Sequence, residues 1–296
     1  MFFPLLEALI QKNPNLCKYH IHEFLQSDED ISAIYKALFT YSSQHAVSES
    51  PDIDALVVSD CLSNVLRTNS KNLSLSQRTM LLEEVIEYLC SIPVATVDTT
   101  VLKPSMDKAT VVSISDLEES FDQDHFDRVI ESVRDLLTLM DNKHYFMEII
   151  YRIVLHKSPQ SIVLASATSR AIEIMGWRNN FTPFLIYHLV TKMFDDKIKV
   201  NFSEEDSIDN RVFEQSMSRL KGITDCQFLS ASYRIYEDCK ILASKIKPMV
   251  AARLRNYFNS NEERIHPSTA YSEIERMVNQ SCMDDLSKIK GAQSFL

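Results

Sequence analysis

The chain has 296 residues, 45% of them hydrophobic and 24% charged, with a formal net charge of −10 at pH 7. That composition suits one large or two modest globular domains and excludes disorder over most of the length, while the acidic balance disfavours nucleic acid as a primary partner. The only three glycines, Gly176, Gly222 and Gly291, leave no G-x-G-x-x-G, Walker loop or nucleophile elbow, which speaks against the usual nucleotide-binding folds, and their scarcity also disfavours tight β-hairpins.

At the amino terminus, Met1 to Ile10 carry Pro4 and Glu7 and lack a basic segment or small-residue cleavage site. They read as an amphipathic helix and not as a signal peptide. Helical spacing predicts elements near 3–12, 15–26, 29–43, 52–68 and 75–91, the last with Leu81, Leu82, Val85, Ile86 and Leu89 on one face. From 92 to 118 the pattern changes: Val94, Thr96, Val97, Thr99, Thr100 and Val101 are β-branched, flanked by Pro93 and Pro104, with no 3.6-residue period. An extended linker or packed loop, with room for one short strand pair, is expected there. It divides the chain into an N-terminal helical region (1–91) and a C-terminal helical region (119–296).

The C-terminal region opens with Phe126, Val129, Ile130, Val133, Leu136, Leu137 and Met140, an apolar stripe over a helix from 124 to 140. Phe146, Ile149, Ile150, Ile153 and Val154 repeat the design beyond a turn at Asp141-Asn142, predicting an antiparallel helical hairpin. Pro159, Pro183, Pro248 and Pro267 mark expected helix starts, Ser158 and Thr182 are candidate caps, and Gly176 and Gly222 are candidate terminators. Ser161–Met175 and Phe184–Phe194 look central to the core, the second as a helix apolar nearly all round. No stretch reaches the roughly 20 apolar residues that span a bilayer. The expectation is an all-α protein, either a multi-helix bundle or an irregular HEAT-like α-solenoid of antiparallel helical hairpins.

Chemistry-bearing patterns are sparse. Cysteines at 17, 61, 90, 226, 239 and 282 form no C-x-x-C or zinc spacing and read as buried, reduced thiols of a cytoplasmic or nuclear protein. Asp122-x-x-His125 and Asp141-x-x-His144 resemble half of a di-iron helix pattern, but they fall at helix starts where Asp caps, and no partner glutamates complete the set. His20 and His22 beside Glu23 would point to different faces of a helix. His144, Glu148, Arg152 and His156 step by four along one helix, opposite its apolar face, and read as a solvated stripe. His188, inside the apolar run Phe184–Val190, reads as a packed histidine that donates to a backbone carbonyl. Trp177, after Gly176, reads as a packing anchor.

The strongest lead is electrostatic. Lys240, Lys245, Lys247, Arg253 and Arg255 cluster across an expected helix break at Pro248, in a chain with acidic runs at 116–127 and 204–209. As a basic corner they would meet an acidic protein partner, pair with those acidic runs within the chain, or stay solvated; if the corner is a partner surface, charge reversal at Lys245, Lys247 and Arg253 should abolish binding and leave stability nearly unchanged. The functional expectation is a non-enzymatic helical interaction module, an adaptor or a subunit of an intracellular assembly, with other protein subunits as partners and without membrane, metal or cofactor. The competing reading is a helical-bundle enzyme or cofactor-binding protein using His188 and the His144/Glu148/His156 stripe.

Overall fold

The computed structural model describes residues 2–26, 31–46, 53–68, 73–93, 119–121, 125–139, 143–200 and 226–259. They are all-α, with no strand among the described residues. In chain order the helices are α1 (Phe2–Ile10), α2 (Pro14–Gln26), α3 (Ser32–Ala46), α4 (Ile53–Thr68), α5 (Leu75–Ser91), α6 (Phe126–Leu139), α7 (Lys143–Val154), α8 (Pro159–Met175), α9 (Thr182–Asp195), α10 (Cys226–Asp238) and α11 (Ala243–Asn259). The expected β-branched linker lies outside the described residues except for its first two positions, as do the Asp141-Asn142 turn, Gly222 and Pro267.

Two compact units emerge, and they do not follow chain order. Among the described residues, the first takes those up to Pro93 together with Arg170–Leu185; the second takes those from Glu119 to Ser169 and from Ile186 to Asn259. In the first unit, α1 packs on α2, α3 and α5, while α3 packs on α4 and α5 on both α2 and α4. Each helix brings an apolar stripe at helical spacing: Leu5, Ala8 and Leu9 on α1, Cys17, Ile21 and Phe24 on α2, and the five positions Leu81, Leu82, Val85, Ile86 and Leu89 on α5. Helix α5 starts at a capping box, in which Gln77 N donates to Ser74 Oγ at 3.2 Å and Ser74 N to Gln77 Oε1 at 2.9 Å. Helix α1 ends in a Schellman turn, with Asn13 N donating to Ala8 O and Lys12 N to Leu9 O, both at 3.0 Å. Lys12 occupies the left-handed position of that turn at φ 54°, where glycine is the usual residue.

Helix α3 is buried on nearly every side, polar residues included. Its polar groups are met locally: Ser42 Oγ and Ser59 Oγ of α4 lie 2.7 Å apart, and Tyr41 donates to Leu89 O of α5 at 3.2 Å. A helix with Thr40, Ser42, Ser43 and His45 inside does not announce itself as central, because its burial comes from neighbours and not from its own pattern.

In the second unit α6 packs on α7, and α11 packs on α7 and α10, consistent with the predicted α6–α7 hairpin. Helix α8 begins as expected: Pro159 occupies the first turn and Ser161 N donates to Ser158 Oγ at 3.4 Å. It ends at Gly176, whose φ of +91° is the left-handed conformation expected of a terminating glycine. Three expectations change. Helix α9 is not buried all round; Leu185, Ile186, Leu189, Val190 and Met193 are buried, whereas Phe184, Tyr187 and His188 on the other side are half-buried. Thr182 does not cap α9 with its side chain but donates to Gly176 O at 3.1 Å, closing the 176–182 turn. Helix α11 is not broken at Pro248; it begins a turn and a half earlier and runs through it.

Candidate functional site

The turn between α10 and α11 is built around a buried carboxylate. Glu148 of α7, 3% exposed, accepts the backbone N–H groups of Lys240 and Ile241 on Oε1, at 2.8 and 3.0 Å, and that of Leu242 on Oε2. Three successive N–H groups converging on one anion form a nest, so the anion here is internal and fixes the turn. The solvated stripe expected along α7 is therefore overturned at its second member, because the α10–α11 turn covers that part of the helix. His144 is exposed and Arg152 half-buried. His156 instead holds the segment after α9. Val200 N donates to the His156 carbonyl at 2.8 Å, and the Nδ1 of His156 lies 3.0 Å from Val200 O. Facing a carbonyl, that ring nitrogen carries the proton.

A second pinned turn lies beside it. Asp196, just past α9, accepts Ser158 N at 2.8 Å and Ser161 Oγ at 2.6 Å on Oδ2, and Ile198 N at 3.1 Å on Oδ1. Burial pushes its carboxyl upward, but the hydrogen bonds from Ser158, Ser161 and Ile198 outweigh that and hold it below the usual aspartate value. Lys157 Nζ donates to the backbone carbonyl of the same Asp196 at 3.0 Å. Arg253 of α11 completes the group, donating to Lys157 O at 2.9 Å with its guanidinium 5.9 Å from the Phe228 ring centre. Burial lowers the pKa of Arg253 and the negative charge of Asp196 opposes that shift.

These contacts redraw the basic corner. Arg253 is 7% exposed and faces inward, so it is no part of a docking surface. Lys247 is half-buried, its ammonium 4.4 Å from the centre of the Tyr236 ring, a cation–π contact within the second unit. Lys240 and Lys245 stay exposed, with Ile241 at 48% exposure between them in the chain. The Arg255 side chain lies outside the described residues. Ile241 went unremarked in the sequence, and Glu148, read there as part of a solvated stripe, is buried; the only signal for its burial was its place one turn from buried apolar positions.

His188 is half-buried and its Nε2 has no hydrogen-bond partner among the described residues. Burial, with the charge of Lys192 adding to it, lowers the His188 pKa to about 4. His125 and His144 are exposed at the starts of α6 and α7, while Asp122 and Asp141 lie outside the described residues. His20 and His22 engage different carboxylates, Glu23 at 3.7 Å and Glu83 at 2.7 Å, as their spacing on a helix requires. Trp177 is half-buried in the turn after α8. No group of three or more His, Cys, Asp or Glu side chains suited to a metal ion occurs among the described residues, nor any helix there long and apolar enough to cross a membrane.

No family model, curated protein or solved structure matches the chain.

Proposed function

We propose that this chain is a non-enzymatic helical interaction module, an adaptor or subunit of an intracellular protein assembly, that docks an acidic protein segment on its α10–α11 corner. The observation that carries this reading is the way Glu148 clamps three consecutive backbone N–H groups, leaving Lys240, Ile241 and Lys245 to face outward from a fixed turn. A preorganised turn loses little conformational entropy when it binds. Two lysines flanking an exposed isoleucine offer an apolar contact inside a positive rim, in a chain of net charge −10 where such a patch is locally distinct.

The test compares the wild-type chain with Lys240→Glu/Lys245→Glu in purification from the native cell. The variant should lose the same polypeptides that the wild type retains, by about tenfold or more, at an unchanged melting temperature. An unchanged set of partners would overturn the assignment of this corner. A second reading, a helical enzyme or cofactor-binding protein centred on His188, is favoured by the buried, unpartnered Nε2 of that ring. Metal analysis of the purified chain, with His188→Gln as the control, separates the two: stoichiometric metal lost in the variant supports the second reading and opposes the first.

A further inference from the structure

We propose that Cys17 and Cys90 form a dithiol site that hydroperoxides oxidise to a disulfide, tying α2 to α5. The geometry comes from the register of the two helices. They pack against each other, and Lys18 pairs with Glu87 while His22 meets Glu83 at 2.7 Å. As the residue number rises on α2 it falls on α5, the signature of an antiparallel pair. Cys17 directly precedes Lys18 and Cys90 lies one turn beyond Glu87, so the ion pair that joins the two helices sets the two cysteines beside it, and the two thiols share a hydrogen bond. This contact is not a pair of unrelated core cysteines, because the adjoining Lys18–Glu87 pair, with His22–Glu83 one turn further, holds the two helices in register there.

The two thiols are unequal. Cys17 is 0% exposed, while Cys90, one residue from the end of α5, is half-buried. The hydrogen bond from Cys17 lowers the Cys90 pKa; burial and the negative charge of Glu87 act against this, and the positive charge of Lys12 favours the thiolate. The same bond and burial raise that of Cys17. Lys12 holds the left-handed position that closes α1, at φ 54°, a conformation that a lysine adopts at some cost. The chain thus keeps a cation, and not the glycine favoured by the turn, beside the more accessible sulfur. A thiolate that is partly exposed, beside a positive charge and next to a second thiol, is the arrangement of an oxidisable cysteine with its resolving partner.

The chemistry balances in two steps. Cys90 thiolate attacks the outer oxygen of a hydroperoxide; the O–O bond breaks, the alkoxide or hydroxide leaves with a proton from solvent, and Cys90 becomes a sulfenic acid. Cys17 then attacks the sulfenic sulfur, the S–O bond breaks, and the Cys17 proton departs with hydroxide as water. The two thiols lose two electrons in all, the peroxide gains them, and a dithiol reductant restores the starting state. Cys239, unlike Cys90, is 2% exposed, and burial raises its pKa to about 11, so it does not take the part of the thiolate that meets the peroxide first.

The test uses the full chain, reduced, freed of reductant and exposed to stoichiometric hydrogen peroxide, then alkylated and digested without reduction. The expected product is one Cys17–Cys90 cross-linked peptide pair, two hydrogens lighter than the separate peptides and abolished by prior unfolding. In Cys17→Ser, Cys90 should persist as a sulfenic acid that dimedone captures; in Cys90→Ser, Cys17 should stay unmodified. Lys12→Gly suits its turn better than lysine does, so folding is retained, and cross-linking should slow by about tenfold. Cross-links to other cysteines in the folded chain, oxidation of Cys90 to sulfinic acid with Cys17 untouched, or an unaltered rate in Lys12→Gly would each overturn the proposal.

Discussion

Helices α1 to α5 meet through apolar stripes, with the Lys18–Glu87 ion pair and the His22–Glu83 hydrogen bond at an exposed margin. In α7, α10 and α11, with the segments that flank α8, the decisive contacts are charged side chains turned inward onto backbone: Glu148 on the 240–242 turn, Asp196 on the start of α8, Arg253 on Lys157 O. The difference matters energetically. Exposed ion pairs contribute little, because water solvates both partners nearly as well. A buried charge hydrogen-bonded to backbone is costly to break from one side, since the remaining partners are then stranded away from water. The first region should therefore tolerate charge changes and resist core truncation, and the second should do the reverse at a few named positions.

Arg253 gives the largest expected effect. Arg253→Glu places a second carboxylate near Asp196 and against Phe228, and should cost about 3–5 kcal/mol, read as a shift in the urea midpoint. Arg253→Met keeps the length and removes the charge, and should lose less than half as much, because the desolvation of the guanidinium vanishes with its hydrogen bond. This reverses the expectation that Arg253 could be charge-reversed without loss of stability. A midpoint unchanged by Arg253→Glu would return Arg253 to the surface patch.

Glu148→Ala comes next. It strands three N–H groups, each worth about 1–3 kcal/mol when fully buried, but water reaches the exposed side of the 240–241 turn, so a total near 3 kcal/mol is expected. Glu148→Gln keeps one acceptor oxygen and should lose roughly half. In the first region the matched truncation is Leu82→Ala, fully buried on α5, at about 2–5 kcal/mol. If Glu148→Ala cost less than a surface substitution, the contrast between the regions would fail at its central residue.

Much of the helical frame was legible in the sequence, and the reasons are local. Apolar spacing on α5 and α6, the Ser158-Pro159 start and the Gly176 stop each act within a turn or two of themselves. Glu148, Arg253 and Ile241 were read wrongly or overlooked because their surroundings come from other elements. A stripe opposite the apolar face of α7 looks solvated until the α10–α11 turn lies over it, and Arg253 counts as surface charge until Lys157 and Asp196 close around it. Pro248 misled for a related reason. Proline is favoured at a helix start, but one in the second turn, like this one, can be carried by a helix that is fixed by packing on both α7 and α10.

His188 offers a pH test within the second region. Its pKa is lowered to about 4 from an ordinary 6.5, so between these values the unfolded chain binds more protons than the folded one. Stability is then fully present above pH 6.5 and declines as pH falls toward 4. His188→Gln should remove that part of the slope, while mutation of exposed His144 should leave it intact. Imidazole resonances followed by NMR would locate the same midpoint directly; titration of His188 near 6.5 would mean that the ring is solvated and that its neutrality is no part of the packing.

The smallest effect compares one helix start from each region. Ser74 and Gln77 cap α5 entirely from within the helix, so Ser74→Ala should cost about 1 kcal/mol. Ser158 caps α8 with a longer bond of 3.4 Å, and Asp196 independently holds Ser158 N and Ser161 Oγ. Ser158→Ala should therefore cost about half as much, because the aspartate still closes the helix start. The coupling is the sharper reading: Ser158→Ala combined with Asp196→Asn should lose more than the sum of the two, since each change leaves the other group as the sole support of the same turn. Simple additivity would mean that Asp196 anchors the 196–200 segment alone and that α8 begins on its own serine, as α5 does.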